Sequence, residues 1–167
     1  YSEFGLKFPV AGFGFDTALA WGAGKENFGG TWPVVWHHLL DTPGTKKFVA
    51  AFTKKYNKPP ENQAWGDYIA VKILAQAMTE AKSTDAVKII EHFEKGAKFD
   101  LLKTREGYFR PSDHQMMHEM YTVTALPAAQ AKNNYDIFTS SPPVPGPNEP
   151  LEAIASTAEE NVCKFPA

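Results

Sequence analysis

"AWGDYIAVKILAQAMTEAKSTD", positions 64–85, sets the frame for the rest of the chain. Ala64, Tyr68, Val71, Ala75 and Met78 step by four, three, four and three, the spacing of one helical face. Lys72, Gln76, Glu80 and Lys82 fall off that stripe, so an amphipathic helix is expected here. Ser83-Thr84-Asp85 offer caps for a following helix that carries Val87, Ile90 and Phe93, and Gly96 ends it. Upstream, Phe48, Phe52 and Tyr56 also recur at steps of four, and Pro59-Pro60 stop that helix.

Extended segments lie on both sides of the helical block. "FPVAGFGF" (8–15) suits a buried parallel strand leading into a loop. Asp16-Thr17 would cap a short helix over "ALAWGA", and "GGTWPVVW" (29–36) reads as a second strand. "GYFR" is a short extended piece, and "MMHEMYTVTAL" (116–126) reads as one strand rich in β-branched and aromatic residues. "SSPPVPGPNEP" (140–150) reads as a surface strap, and "LEAIASTAEENVCKF" as a last helix. Strands alternating with helices point to α/β architecture with a mainly parallel sheet. Positions 1–7 read like the end of a helix with Gly5 as its left-handed cap, so the chain is expected to belong to something longer.

Composition narrows the function classes. Of 167 residues, 43% are hydrophobic and 22% charged, enough for one domain-sized core. The net charge of −2 offers no basic excess for nucleic acid. No apolar run approaches the roughly 20 residues that cross a bilayer. A single cysteine, Cys163, excludes an internal disulfide.

"RPSDHQMMHEM" (110–120) tests for metal chemistry, because His114 and His118 are four apart. On a helix they would share a face, but on the expected strand they lie about 13 Å apart and cannot hold one ion. His37 and His38 are adjacent, diverge in any regular structure, and are expected at a surface or loop end. His92, between acidic neighbours, reads as solvated. "GFGF" and "WGAGKE" lack the further glycine or hydroxyl residue of a phosphate loop. No serine has glycines at both flanking places of a nucleophile elbow, so catalysis has no positive signal.

The aromatics are in excess: twelve Phe, six Tyr and four Trp. Most belong to a core. Phe13, Phe15, Trp21, Trp32, Trp36 and Trp65 lie beside glycines or at element ends, where they would also line an apolar pocket. Phe13 and Phe15 follow a strand, and ligands in α/β folds collect at the carboxyl ends of strands.

With these segments in order, the chain resembles the carboxyl-terminal half of type I periplasmic binding proteins, nearest the branched-chain amino acid-type substrate-binding components of ABC transporters. The features are "EFGLKFPVAGFG", then F-x3-F-x3-Y-x2-PP over 48–60, "AWGDYIAVKILAQAMTEAKSTD", and "GYFRPSDHQ" with Arg110, Asp113, His114 and Gln115. The resemblance implies three-layer α/β parallel-sheet lobes, here incomplete, joined by three crossovers, with ligand trapped between them. By analogy, 1–36 form part of the second lobe, 37–103 part of the first, 104–140 return to the second, and 141–167 are strap and tail. It implies a periplasmic solute-binding protein that is not an enzyme and needs no cofactor. Its partners would be ABC permease membrane subunits and the missing amino-terminal half. A ligand-sensing regulator or receptor ectodomain shares the fold, and a metal-dependent hydrolase on His114 and His118 is the alternative from another class. In amino acid-binding members an acidic residue after the "FPVAG"-like strand grips the ammonium; Gly14 stands there, with Asp16 two places on. That departure favours an aromatic or other organic carboxylate. The site positions carried over are Phe13, Gly14, Phe15, Asp16, Gln63, Trp65 and Asp67, with Trp36 and His37 at the margin. Asp67 has a structural alternative as a cap of its helix.

Overall fold

A computed structural model describes residues 3–157 and 159–162. Helix α1 (Thr17–Ala23) precedes strand β1 (Thr31–Val34), followed by α2 (Pro43–Tyr56), α3 (Asn62–Ala81) and α4 (Ala86–Glu94). Five short strands follow: β2 (Lys98–Phe99), β3 (Gly107–Phe109), β4 (Met116–Met117), β5 (Tyr121–Ala125) and β6 (Phe138–Ser140). Capping follows the sequence: Asp16 starts α1, Thr42 starts α2 ahead of Pro43, and Asp85 starts α4. Asn57 ends α2 in the left-handed conformation, just before the proline pair.

Two three-stranded sheets result, ordered β1-β5-β6 and β2-β3-β4. The architecture is α/β, but every ladder among the described residues is antiparallel. The chain leaves β1, builds the three helices and the second sheet, and returns through β5 in the opposite sense. Parallel pairing survives at one point, the bridge between Ala11 and Thr31. Among the described residues the expected 8–15 strand keeps that bridge to the start of β1 as its β pairing.

Other expectations change too. The 116–126 strand is split between the sheets, with β4 in one and β5 in the other. After the strap, the described part of the expected last helix contains a 3₁₀ turn at Leu151–Ile154, since two apolar residues three apart suit a single turn; residues 158 and 163–165 of that stretch lie outside the described residues. Cys163 lies outside the described residues. His92 is bonded to Glu80 at 2.8 Å rather than solvated. His37 and His38 are buried, at 1% and 9% exposure, because aromatic rings enclose them: Tyr121 and Phe138 around His37, Trp21 and Phe138 around His38.

The largest revision concerns α3. The stripe it buries is Trp65, Ile69, Ile73 and Ala77. Tyr68, Val71 and Ala75, the stripe expected inward, face solvent, with Val71 71% exposed. Lys72 and Gln76 lie at the edge of the buried face because they bond Asp100 and the Lys98 carbonyl. α3 is therefore apolar on two sides, and the described residues cover one of them. α4 repeats the pattern: Ile89 is buried, and Val87 and Ile90 are exposed.

Candidate functional site

Two helix starts meet at one place. The Asp16 carboxylate accepts from the Ala18 and Leu19 amides at 2.8 and 3.1 Å, capping α1. That leaves the Thr17 amide, a first-turn donor with no partner inside its own helix. Asn62, at the first position of α3, supplies one from 45 residues away. Its Oδ1 accepts from the Thr17 amide at 3.2 Å and the Thr17 hydroxyl at 2.9 Å, and its Nδ2 donates to the Phe15 carbonyl at 3.2 Å. Glu61 caps α3 through the Ala64 amide.

The segment that carries Phe13, Gly14, Phe15 and Asp16 thus meets α3 at Asn62, the residue before Gln63. Phe13 is 96% exposed. Gly14 has a φ of +70° and open space where a Cβ would stand. A shallow cavity of about 240 Å³ borders Gly14, Phe15, Asp16, Leu19, Phe28 and Trp32. The Phe15 ring forms its floor and joins the core through Phe28, Trp32 and Phe138. Gln63 is exposed on the first turn of α3. Thr17 and Asn62 were not singled out from the sequence; no spacing rule relates a helix's first residue to one 45 positions away.

Trp36, Trp65 and Asp67 are elsewhere. Trp36 is fully enclosed and stacks on Trp65 at 6.0 Å and 5°. The two indole N–H groups donate to the Thr45 hydroxyl and the Leu101 carbonyl. Asp67 is exposed further along α3, and the cap the sequence offered it belongs to Glu61.

A buried polar cluster lies where the chain passes between the sheets. The Lys103 ammonium donates to the Glu119 carbonyl at 2.7 Å, sits 2.8 Å from His118 Nδ1, and lies 4.8 Å from the Trp65 ring centroid. Burial pushes the Lys103 amine down to about 7 against the attraction of Glu119. Burial and then Lys103 push His118 down to about 4. The Glu119 carboxylate is wholly enclosed and accepts from the Thr104 amide and hydroxyl, Arg105 and Tyr121. Burial works to raise its pKa, but these donors hold it below the usual carboxylate value. Arg105 also donates to the strap carbonyls of Pro145 and Glu149. His37, pushed down to about 4 by burial and then His38, has neither ring nitrogen hydrogen-bonded.

The histidines of "RPSDHQMMHEM" have parted. His114, at a φ of +54°, sits in the β3–β4 turn and meets Glu94 at 2.8 Å. His118 lies in the buried cluster. Arg110 and Asp113 pair within the turn, and Arg110 donates to the Ser156 carbonyl. Among the described residues no group of three or more His, Cys, Asp or Glu could hold a metal.

One larger cavity, about 430 Å³, is lined chiefly by apolar side chains, among them Trp65, Ile69, Ile73, Phe93, Phe109 and His118. It opens beside the uncovered face of α3.

Comparison with known proteins gives a consistent answer. A family model described as periplasmic binding protein matches residues 1–131. No curated protein matches the chain. A periplasmic binding protein from Burkholderia mallei is similar at 23% identity and a TM-score of 0.80, over 97% of this chain and 42% of its own. A branched chain amino acid ABC transporter periplasmic ligand-binding protein from Burkholderia xenovorans LB400 aligns at 25% identity and a TM-score of 0.78, over 95% of this chain and 42% of its own. A solute binding protein of an ABC transporter from Rhodopseudomonas palustris BisB5, in complex with 3,4-dihydroxy benzoic acid, aligns at 20% identity and a TM-score of 0.61, over 72% and 34%. This chain thus spans about two fifths of the length of the first of these structures.

Proposed function

Because the chain belongs to the periplasmic binding protein family, we propose that it supplies parts of both lobes of the solute-binding component of an ABC uptake transporter. It works in the periplasm, captures a small organic molecule without transforming it, and presents it to permease membrane subunits. Residues 1–36 and the β1-β5-β6 sheet belong to one lobe. Helices α2 to α4 and the β2-β3-β4 sheet belong to the other; because β3 and β4 pair with β2, this reading moves the return expected at 104 to the step between β4 and β5. The rest of that lobe comes from polypeptide outside this chain and covers Tyr68, Val71, Leu74, Val87 and Ile90. The two-sided apolar character of α3 supports this: such a helix is stable as a middle layer.

The observation that carries the reading is the meeting of the 13–17 segment with the first turn of α3. Asn62 makes that meeting by bonding Thr17 and the Phe15 carbonyl, and the solvent-exposed Phe13, Gly14 and Gln63 are near neighbours in sequence of the bonded residues. Trp36 and Trp65 support it as a stacked pair in the core.

The ligand class follows from the carboxylates. No acid replaces Gly14, and Asp16, two places on, is committed through its Oδ1 to two α1 amides. An α-ammonium therefore lacks an acid at the position where amino acid-binding relatives would hold one. An aromatic or other organic carboxylate fits better, stacked on Phe13 and hydrogen-bonded by Gln63. The test is calorimetric titration and thermal shift of the two-lobed protein with benzoate-type acids, branched-chain amino acids and amides. Aromatic acids are expected to bind and raise the melting temperature. A response to amino acids alone refutes the ligand class, and no response to any of them refutes the site.

A further inference from the structure

We infer that Asn62 and Thr17 form a latch that holds the two lobes closed through protein groups alone. The inference rests on the solute-binding reading, since it requires α1 and α3 to stand on different lobes.

Three hydrogen bonds make the connection, and all pass through one side chain. Asn62 offers its carbonyl oxygen to the Thr17 amide and hydroxyl, and its amide nitrogen to the Phe15 carbonyl. Asn62 therefore uses both halves of its amide, a fit that neither Asp nor Leu reproduces. Thr17 is 1% exposed, so the contact is enclosed. The Thr17 amide is the α1 donor that Asp16 leaves over, so the latch completes the cap of one helix from the start of the other. Both ends are anchored. Trp21 of α1 donates to the Tyr135 carbonyl next to β6, and Trp65 of α3 donates to the Leu101 carbonyl next to β2. The connection thus reports the relative position of the two sheets rather than of two loose loops.

The chemistry suits a reversible contact. Every group released on opening is a neutral amide or hydroxyl that water satisfies, so opening exchanges hydrogen bonds rather than stranding them. The net value of three such bonds corresponds to roughly a 10- to 1,000-fold bias toward the closed arrangement. Ligand then adds to a closure that is already favoured. Loss of the latch raises the dissociation constant by the factor through which the closed population falls.

The test measures the distance between spin labels at Glu26→Cys and Lys54→Cys, in a Cys163→Ser background of the two-lobed protein without ligand. A short-distance population is expected in the parent, and Asn62→Ala should cut its ratio to the long-distance population at least tenfold. Thr17→Val keeps the backbone bond and should give a smaller loss. It carries the same test should Asn62→Ala fail to fold. In the double variant the Thr17 substitution should add nothing. Identical distributions in parent and variants would overturn the latch, as would a parent that is wholly open. Unchanged distances combined with lost thermal response to aromatic acids would make Asn62 a ligand contact instead, overturning the latch and sparing the solute-binding reading. A parent with one fixed distance and no thermal response to any acid would remove both.

Discussion

Lys103→Met should flatten the pH dependence of stability between pH 7.5 and 9.5. Lys103 is 7% exposed, and its amine sits at about 7 in the folded protein against an ordinary value of 10.5. Between those values the unfolded chain binds the proton that the folded protein has released. Stability therefore rises with pH across this window, and the burial penalty is complete only below pH 7. The gap of about 3.5 pH units corresponds to at most ~5 kcal/mol, with about 2.5 kcal/mol recovered between pH 7.5 and 9.5. Other buried groups do not share the window. His37 and His118 sit at about 4 when folded and regain their neutral form by pH 7.5 when unfolded. Tyr121 is pushed upward, so its effect begins near pH 10 and has the opposite sign. Urea unfolding at pH 7.5, 8.5 and 9.5 measures the slope. The parent should gain stability over the series, and Lys103→Met, which keeps an unbranched apolar stem but no titratable amine, should not. Equal slopes in both proteins would refute the assignment of a depressed amine to this cluster.

Three further outcomes follow from burial and charge. Folding of His37 favours its neutral ring, so stability is full above pH 6.5 and falls as pH drops toward 4; His37→Phe should remove about 2 kcal/mol of the loss between pH 6.5 and 4.5, and an unchanged acid limb in denaturant titrations would contradict this. Glu119→Ala leaves Thr104, Arg105 and Tyr121 without their shared acceptor and should cost about 3–5 kcal/mol by chemical unfolding, so a loss below about 1 kcal/mol would dismiss the cluster as a structural centre. Val71→Asp should cost at least ~3 kcal/mol in the two-lobed protein if its face is covered there, whereas a change within about 0.5 kcal/mol would make that face a true surface.

Local chemistry made much of the fold readable. Asp16, Asp85 and the proline pair at 59–60 mark helix ends because caps and ring constraints act within a few residues. Gly96, at a positive φ just beyond α4, marks an end for the same reason. What failed depends on neighbours. "FPVAGFGF" has the composition of a buried strand, yet strand structure requires partners, and among the described residues its β pairing is the one bridge to Thr31. The 116–126 run is continuous in character, but Glu119 is drawn into the core by donors from 104, 105 and 121, which parts β4 from β5.

The two stripes of α3 show why periodicity settles the element and not its orientation. Tyr68, Val71 and Ala75 form as regular a series as Trp65, Ile69, Ile73 and Ala77. Nothing local ranks one above the other, because the hydrophobic effect is non-directional and rewards whichever face meets a partner first. The deciding contacts come from far along the chain: Trp36 beneath Trp65, Lys103 over its ring, and Asp100 holding Lys72 at the margin. The candidate site obeys the same logic. Phe13, Gly14 and Asp16 were legible because a glycine-flanked ring and a capping acid announce a turn. Asn62 was not, because its role exists only once α1 and α3 are side by side. A helix with two apolar faces and a cap completed from another helix have a common cause. Each is unfinished within its own segment, and each predicts that stability and ligand capture depend on surfaces brought together from distant parts of the polypeptide.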